Sequence, residues 1–321
     1  MTDPRLLRVL PVICAAAVLG IAAFLTEPGA TPAVTSFDAG SPVSGVKVAA
    51  AGDIACDPAD LDFAGGFGSA DECQQRATSD LLVGAGNAAV LVLGDIQYEE
   101  GEFGAYAASY DPTWGRVRAI TRPAPGNHEY RVAGAAAYFR YFGARAGDPA
   151  KGYYSYELSN WHVIALNSNC EHVGGCDAGS AQERWLRADL AAHTARCTLA
   201  YWHHPRYSSG LHGSDATYTA FWQALVDANA EIVLVGHDHG YERFAPQNAK
   251  GGRDLARGMR EFVVGNGGRS LRTFTRVSPN SEVRDATSFG VLELTLGANA
   301  YGWRYRPAVG WFADAGSARC H

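Results

Sequence analysis

Five times along this 321-residue chain an apolar run stops abruptly at a residue able to bind a metal ion. The fullest case is 231–243, E-I-V-L-V-G-H-D-H-G-Y-E-R, where the β-branched run 232–235 ends at Gly236 and puts His237 and His239 on the loop that follows. One H-x-H alone reads equally well as a hairpin turn with incidental histidines. Imidazoles two apart on a loop can point at different targets, which suits two adjacent ions better than one tetrahedral ion. Recurrence tips the balance. The run 46–51 closes with Gly52-Asp53, and 88–93 closes with Gly94-Asp95 and, three residues on, Tyr98. The run 120–124 enters Gly126-Asn127-His128-Glu129, and 198–202 ends in His203-His204.

Helical spacing fills several of the gaps. Residues 69–86 predict a helix capped by Ser69 with Ala77, Leu81 and Leu82 inward, and 111–118 a short one around Trp114. Residues 180–193, with Trp185, Leu186 and Leu190 on one side, and 215–228, with Phe221, Trp222 and Leu225 inward, predict two more. The segments 153–158 and 161–167 read as antiparallel strands joined across Ser159-Asn160, with His162 structural; His172 and His193 read as solvated. The run 261–264 ends in four small residues, Gly265 to Gly268, that permit close backbone approach. Residues 289–296 and 301–306 alternate like half-exposed antiparallel strands. Strand-helix order early and strand-strand order late imply mixed sheets.

The N-terminus has the order of a secretory signal: Arg5 and Arg8, an apolar run over 10–25, then small and polar residues to Pro32. We expect residues 1–33 to be a leader, or an uncleaved membrane anchor, 34–45 a linker and 46–321 one catalytic domain. The product is expected to be secreted or extracytoplasmic. Seven cysteines become six without Cys14, and an even number in an exported chain favours disulfides. Proximity pairs Cys56 with Cys73 and Cys170 with Cys176, leaving Cys197 for Cys320. A formal charge of −6 without a basic cluster argues against a nucleic-acid scaffold.

The strand-end set is Asp53, Asp95, Tyr98, Asn127, His203, His237 and His239. Oxygen donors mixed with imidazoles suit first-row transition ions rather than calcium. The set is larger than one ion uses, and two ions sharing a carboxylate need about this number. In order, the blocks resemble those of the calcineurin-like metallophosphoesterases, and most closely the purple acid phosphatases. They are Gly52-Asp53-Ile54-Ala55, Gly94-Asp95-Ile96-Gln97-Tyr98, Gly126-Asn127-His128-Glu129, Ala200-Tyr201-Trp202-His203 and Gly236-His237-Asp238-His239. Ala55 and Ala200 depart from the family's usual glycine and valine, at positions that supply no ligand.

The resemblance and the strand order imply an α/β (α+β) fold, a four-layer αββα sandwich of two mixed β-sheets flanked by helices, with ligands at the carboxyl ends of strands. The resemblance also implies a ferric ion held by Asp53, Tyr98 and His239, a divalent ion (iron, zinc or manganese) held by Asn127, His203 and His237, and Asp95 between them. It gives His128 to the substrate phosphate and, by spacing, His212 the role of proton donor to the leaving group, with His204 as the alternative donor. The expected activity is hydrolysis of a small phosphomonoester by in-line attack of a metal-bound hydroxide. A nucleotide-type phosphodiesterase and a non-catalytic, metal-stabilised surface domain remain alternatives. The 12-residue stretch 34–45 is too short for the β-sandwich domain of the large plant enzymes, so a monomer is expected.

Overall fold

The computed structural model describes residues 43–321. The expected leader and residues 34–42 of the expected linker lie outside them. The strands, in chain order, are β1 (Val46–Ala51), β2 (Ala89–Leu93), β3 (Thr121–Ala124), β4 (Tyr154–Leu158), β5 (Trp161–Ala165), β6 (Cys197–Tyr201) and β7 (Ile232–Val235). They continue with β8 (Tyr241–Phe244), β9 (Arg260–Val264), β10 (Ser281–Asp285), β11 (Phe289–Leu296), β12 (Ala300–Val309) and β13 (Ala315–Arg319).

One sheet runs β13-β12-β11-β1-β2-β3 and the other β10-β8-β9-β7-β6-β5-β4. The parallel groups are β1-β2-β3 and β5-β6-β7-β9; every other pairing is antiparallel, so both sheets are mixed as expected. The parallel strands β2 and β7 read as unbroken apolar runs because both of their faces are covered. In β6, Leu199 and Tyr201 join the core between the sheets, while Ala200 and, just past the strand, Trp202 lie in the core beneath the helices. Strand β7 divides the same way, Ile232 and Leu234 to one side, Val233 and Val235 to the other. Helices Ala181–Ala192 and Thr219–Asp227 cover that outer face with Leu186, Phe221, Trp222 and Leu225. The αββα sandwich is the fold expected.

The three disulfides pair as expected: Cys56–Cys73, Cys170–Cys176 and Cys197–Cys320. The helix expected over 69–86 is only Gln75–Asp80, and Ser69 does not cap it. Cys73 is held by its disulfide, and the Cys73 and Gln74 N–H groups donate to the carbonyls of Arg269 and Gly268, so the chain there is fixed outside any helix. Its buried face is polar, with the Thr78 hydroxyl donating to the Gly267 carbonyl at 2.6 Å, because it packs on loop backbone. Strands β8, β10 and β13 escaped the sequence reading because charged or small residues interrupt them: Glu242 and Arg243 part Tyr241 from Phe244 in β8, and β10 and β13 hold one branched apolar residue, Val283, between them. In β8, Glu242 is buried yet accepts from Ser209 N–H at 2.7 Å, and Arg243 donates to Asp314 at 2.8 Å.

His162 is structural, as expected. Only 1% exposed, it bonds Glu157 on β4 at 2.8 Å and Asp189 on the helix Ala181–Ala192 at 2.7 Å, and its ring stacks on His193 at 4.1 Å. Burial works against its charged form, but hydrogen bonds to Asp189 and Glu157 prevail and raise its pKa. The folded state therefore holds this proton more tightly than the unfolded chain, and the resulting stability is complete below about pH 6.5 and lost as pH rises through the raised value. We expect the stability difference between the protein and His162→Gln, from denaturant titrations in zinc-free buffer, to shrink across that window. A difference independent of pH would contradict the ion-pair account.

Candidate metal centre

Each strand-end residue is delivered by a sharp exit from its strand. Asp53 follows β1, Asp95 follows β2 and His237 follows β7, and all three have left-handed backbones, with φ of 58°, 45° and 70°. Such φ values at non-glycine residues are strained and tend to gather at functional sites. The glycines before Asn127 and His237 have a steric reason. A Cβ on Gly126 would lie 2.2 Å from Asp95 Oδ1, and one on Gly236 would lie 2.6 Å from Asp53 Oδ2.

The side chains converge in two overlapping groups. Tyr98 Oη donates to Asp53 Oδ1 at 2.8 Å and lies 3.2 Å from Asp95 Oδ2 and 3.1 Å from His239 Nε2, which is itself 3.3 Å from Asp53 Oδ1. On the other side His203 Nε2 lies 3.2 Å from Asp95 Oδ2 and 3.2 Å from His237 Nδ1. Asp95 thus faces both groups. Asn127 sits between Gly126 and His128, and the His128 N–H donates to Asp95 Oδ1 at 2.9 Å. The Asn127 Oδ1 atom is buried and has no hydrogen-bond partner. A buried acceptor left without a partner, next in sequence to the residue whose N–H bonds Asp95, fits a bound cation.

Electrostatics agree with that fit. Burial opposes the charged form of Asp95, yet His203, His128 and His237 hold it well below the usual carboxylate range. Burial likewise works against protonated His203, and the Asp95 carboxylate outweighs it, raising His203 to about 9. Burial, then Asp53 and Asp95, push the Tyr98 phenol well up. Burial, then His203 and His204, push His237 well down. In the protein without cations, protons hold these donors together, at positions where a metal ion would replace them.

Outer contacts aim the donors. His203 Nδ1 donates to the Leu93 carbonyl at 2.8 Å, turning Nε2 to the centre, and His239 Nδ1 is 2.8 Å from Ser270 Oγ. Two acids to which the sequence reading gave no role do comparable work. Glu129, fully buried, accepts from the N–H groups of Ile96 at 2.9 Å and Gly126 at 2.7 Å, tying together the loops after β2 and β3. Asp238 accepts from His212 N–H at 2.9 Å, Gly213 N–H at 3.2 Å and the Ser208 hydroxyl, so it moulds the loop that carries His212. Both acids lie inside the recognised blocks, which was the available signal.

At the mouth, the His128 ring lies 4.2 Å from that of Tyr98, tilted by 52°, and its Nε2 is 3.8 Å from Asp95 Oδ2, with Arg131 3.5 Å from the same nitrogen. His212 is exposed, its ring 4.2 Å from that of His237, and its Nε2 accepts from Arg272 at 2.9 Å. His204 lies beside the cluster, its ring 4.4 Å from that of His237, but it bonds Ser168 Oγ at 2.8 Å through Nδ1, and burial with His203 beside it pushes its pKa down to about 3. An imidazole so held carries no proton to donate near neutrality.

Residues 46–241 match the family model described as calcineurin-like phosphoesterase. The chain is 29% identical over 160 residues to purple acid phosphatase 18 of Arabidopsis thaliana, covering 47% of this chain and 35% of that protein. It is 30% identical over 214 residues to purple acid phosphatase 21 of the same plant, covering 58% and 47%. Each match thus takes in less than half of the plant protein's length. The fold is similar to that of the yellow lupin (Lupinus luteus) purple acid phosphatase PPD1, with a TM-score of 0.71 at 18% identity over 87% of this chain and 54% of that one. With five ordered blocks meeting in one buried cluster and the family model spanning them, the chain belongs to the calcineurin-like phosphoesterases.

Proposed function

We propose that this protein is an exported, two-metal phosphoesterase that hydrolyses phosphomonoesters, as the names of its plant relatives suggest. The observation that carries the reading is the Asp95 carboxylate standing between a phenol-containing group and an imidazole-containing group, with the unpartnered Asn127 oxygen on the loop whose His128 N–H bonds Asp95. In this reading Asp53, Tyr98 and His239 hold a ferric ion, and Asn127, His203 and His237 hold a divalent one. A phenolate and a carboxylate suit the higher charge, while two neutral imidazoles and an amide suit the lower. Such ions supply charge neutralisation for phosphoryl oxygens and acidify a water at neutral pH. Three disulfides point to an oxidising compartment and support export. Among the described residues no helix is long and apolar enough to cross a membrane.

The chain's own groups then handle the substrate. His128, with Nδ1 on the Glu99 carbonyl at 2.5 Å, keeps Nε2 toward the pocket, where in the protonated state it donates to a phosphate oxygen. Arg131 and Arg272 add positive charge at the mouth, beside His128 and His212. A phosphate dianion that draws Arg272 to itself frees His212 Nε2 to take up a proton and pass it to the leaving alkoxide.

Purified protein should hydrolyse p-nitrophenyl phosphate faster than bis(p-nitrophenyl) phosphate and lose both activities on Asp95→Asn or His203→Ala. A diester preference would make it a phosphodiesterase. No turnover of either after metal restoration would leave a binding domain. His212→Gln should lower kcat for an alkyl phosphate by about 10²–10⁴ and for p-nitrophenyl phosphate far less, because nitrophenolate leaves without help. Equal losses on both substrates would remove His212 from the proton-donor role.

A further inference from the structure

Arg269 reaches the metal centre without being one of its ligands. Its backbone is fixed on two sides: its N–H donates to the Asp53 carbonyl at 2.9 Å, and its carbonyl accepts from the Cys73 N–H at 3.1 Å, beside the Cys56–Cys73 disulfide. The next residue, Ser270, bridges antiparallel to Glu72 and places its Oγ 2.8 Å from His239 Nδ1. A side chain leaving a backbone so held has a set direction. That direction takes the guanidinium to 5.5 Å from the centre of the Tyr98 ring. The pair 269–270 thus touches Asp53, Tyr98 and His239, the whole of the phenol-containing group.

Three carboxylates from separate stretches share this one cation. Nε and Nη2 both donate to Glu99 Oε1, at 3.1 and 2.8 Å, Nη1 donates to Glu72 Oε2 at 2.5 Å, and Nη2 lies 3.2 Å from Asp60 Oδ2. Asp60 and Glu72 belong to the loop closed by the Cys56–Cys73 disulfide, and Glu99 to the turn after Tyr98. A planar fork with five N–H groups can serve three acids at once, which a lysine ammonium would not match. Glu99 in turn meets His128. Its carbonyl accepts from His128 Nδ1 at 2.5 Å, and its Oε2 is 3.8 Å from the same nitrogen. Arg269 thereby connects the disulfide-closed loop, through Glu99, to the imidazole at the mouth.

We propose that Arg269 is a positioning residue for phosphate binding, holding Glu99 so that the Glu99 carbonyl keeps His128 Nε2 turned into the pocket. The inference rests on the substrate-binding role given to His128 above. Glu99 lies outside every named strand and helix, so its carbonyl has no ladder to fix it. The clasp on its side chain does so instead. With the guanidinium gone, Asp60, Glu72 and Glu99 are left without the cation they share, and they repel one another. Glu99 then swings toward water, its carbonyl moves with it, and the imidazole loses its bearing. A hydrogen bond to a charged phosphate oxygen depends on that alignment. Arg269 therefore acts on binding through His128.

The test measures inorganic phosphate binding by calorimetry on the full protein with its metals restored, with KM for p-nitrophenyl phosphate beside it. Arg269→Gln and Glu99→Ala should each weaken phosphate binding and raise KM about tenfold, the loss expected when one charge-assisted hydrogen bond is misaligned. In His128→Ala neither change should weaken phosphate further, because the group they aim is gone. The Glu99 side chain is 41% exposed, so Glu99→Ala keeps its fold even where the loss of Arg269 from among three acids unfolds the loop. The same weakening with and without His128, or none with it, would overturn the proposal alone. A protein that binds no phosphate and turns over no ester would overturn the phosphoesterase reading, and the proposal with it.

Discussion

Asp53 and Asp95 each place a carboxylate oxygen within 3.2 Å of one phenol oxygen, and all three side chains are buried. Two like charges at such range, in a medium that screens poorly, need positive charge between them. The His203 imidazole, whose pKa the Asp95 carboxylate raises, provides part of it, and a metal ion in its reach would provide more. The rest of the architecture holds that pair of acids in place against their mutual repulsion.

The means are mostly backbone. Parallel strands β1 and β2 run side by side, so their ends bring Gly52-Asp53 next to Gly94-Asp95, and the N–H groups of Asp53 and Ile54 donate to the carbonyls of Gly94 and Asp95 at 3.1 and 3.0 Å. The second sheet delivers His203 and His237 from β6 and β7 in the same fashion, and the His237 N–H donates to Asp53 Oδ2 at 2.8 Å. A left-handed backbone at Asp53, Asp95 and His237 costs about 1–3 kcal/mol each. That cost is met because neighbouring strands fix both ends of each loop. Side chains mounted this way would need little reordering to take up an ion.

Much of this was legible in the sequence, for a specific reason. An unbroken apolar run marks a strand covered on both faces, and the residue at which it stops is where the chain meets the rim, so ligand identity and ligand position are written together. The β4–β5 hairpin was legible from two strand segments joined across Ser159-Asn160, and the three disulfides from the proximity of an even number of cysteines. The apolar pattern failed where burial is polar. Strand β8 carries Glu242 and Arg243, and the helix Gln75–Asp80 buries Thr78 and Ser79, since their partners come from far along the chain and leave no local period. The roles of Glu129 and Asp238 were hidden for the same cause: each bonds backbone N–H groups, which have no signature in side-chain pattern.

The central claim is that seven side chains from strand ends of both sheets share two ions. Anomalous X-ray diffraction from metal-loaded crystals, recorded at the iron and zinc edges, tests it most directly. The account predicts two adjacent anomalous peaks, one contacted by Asp53, Tyr98 and His239, the other by Asn127, His203 and His237, with Asp95 touching both. A single peak among these residues, or none, would contradict it.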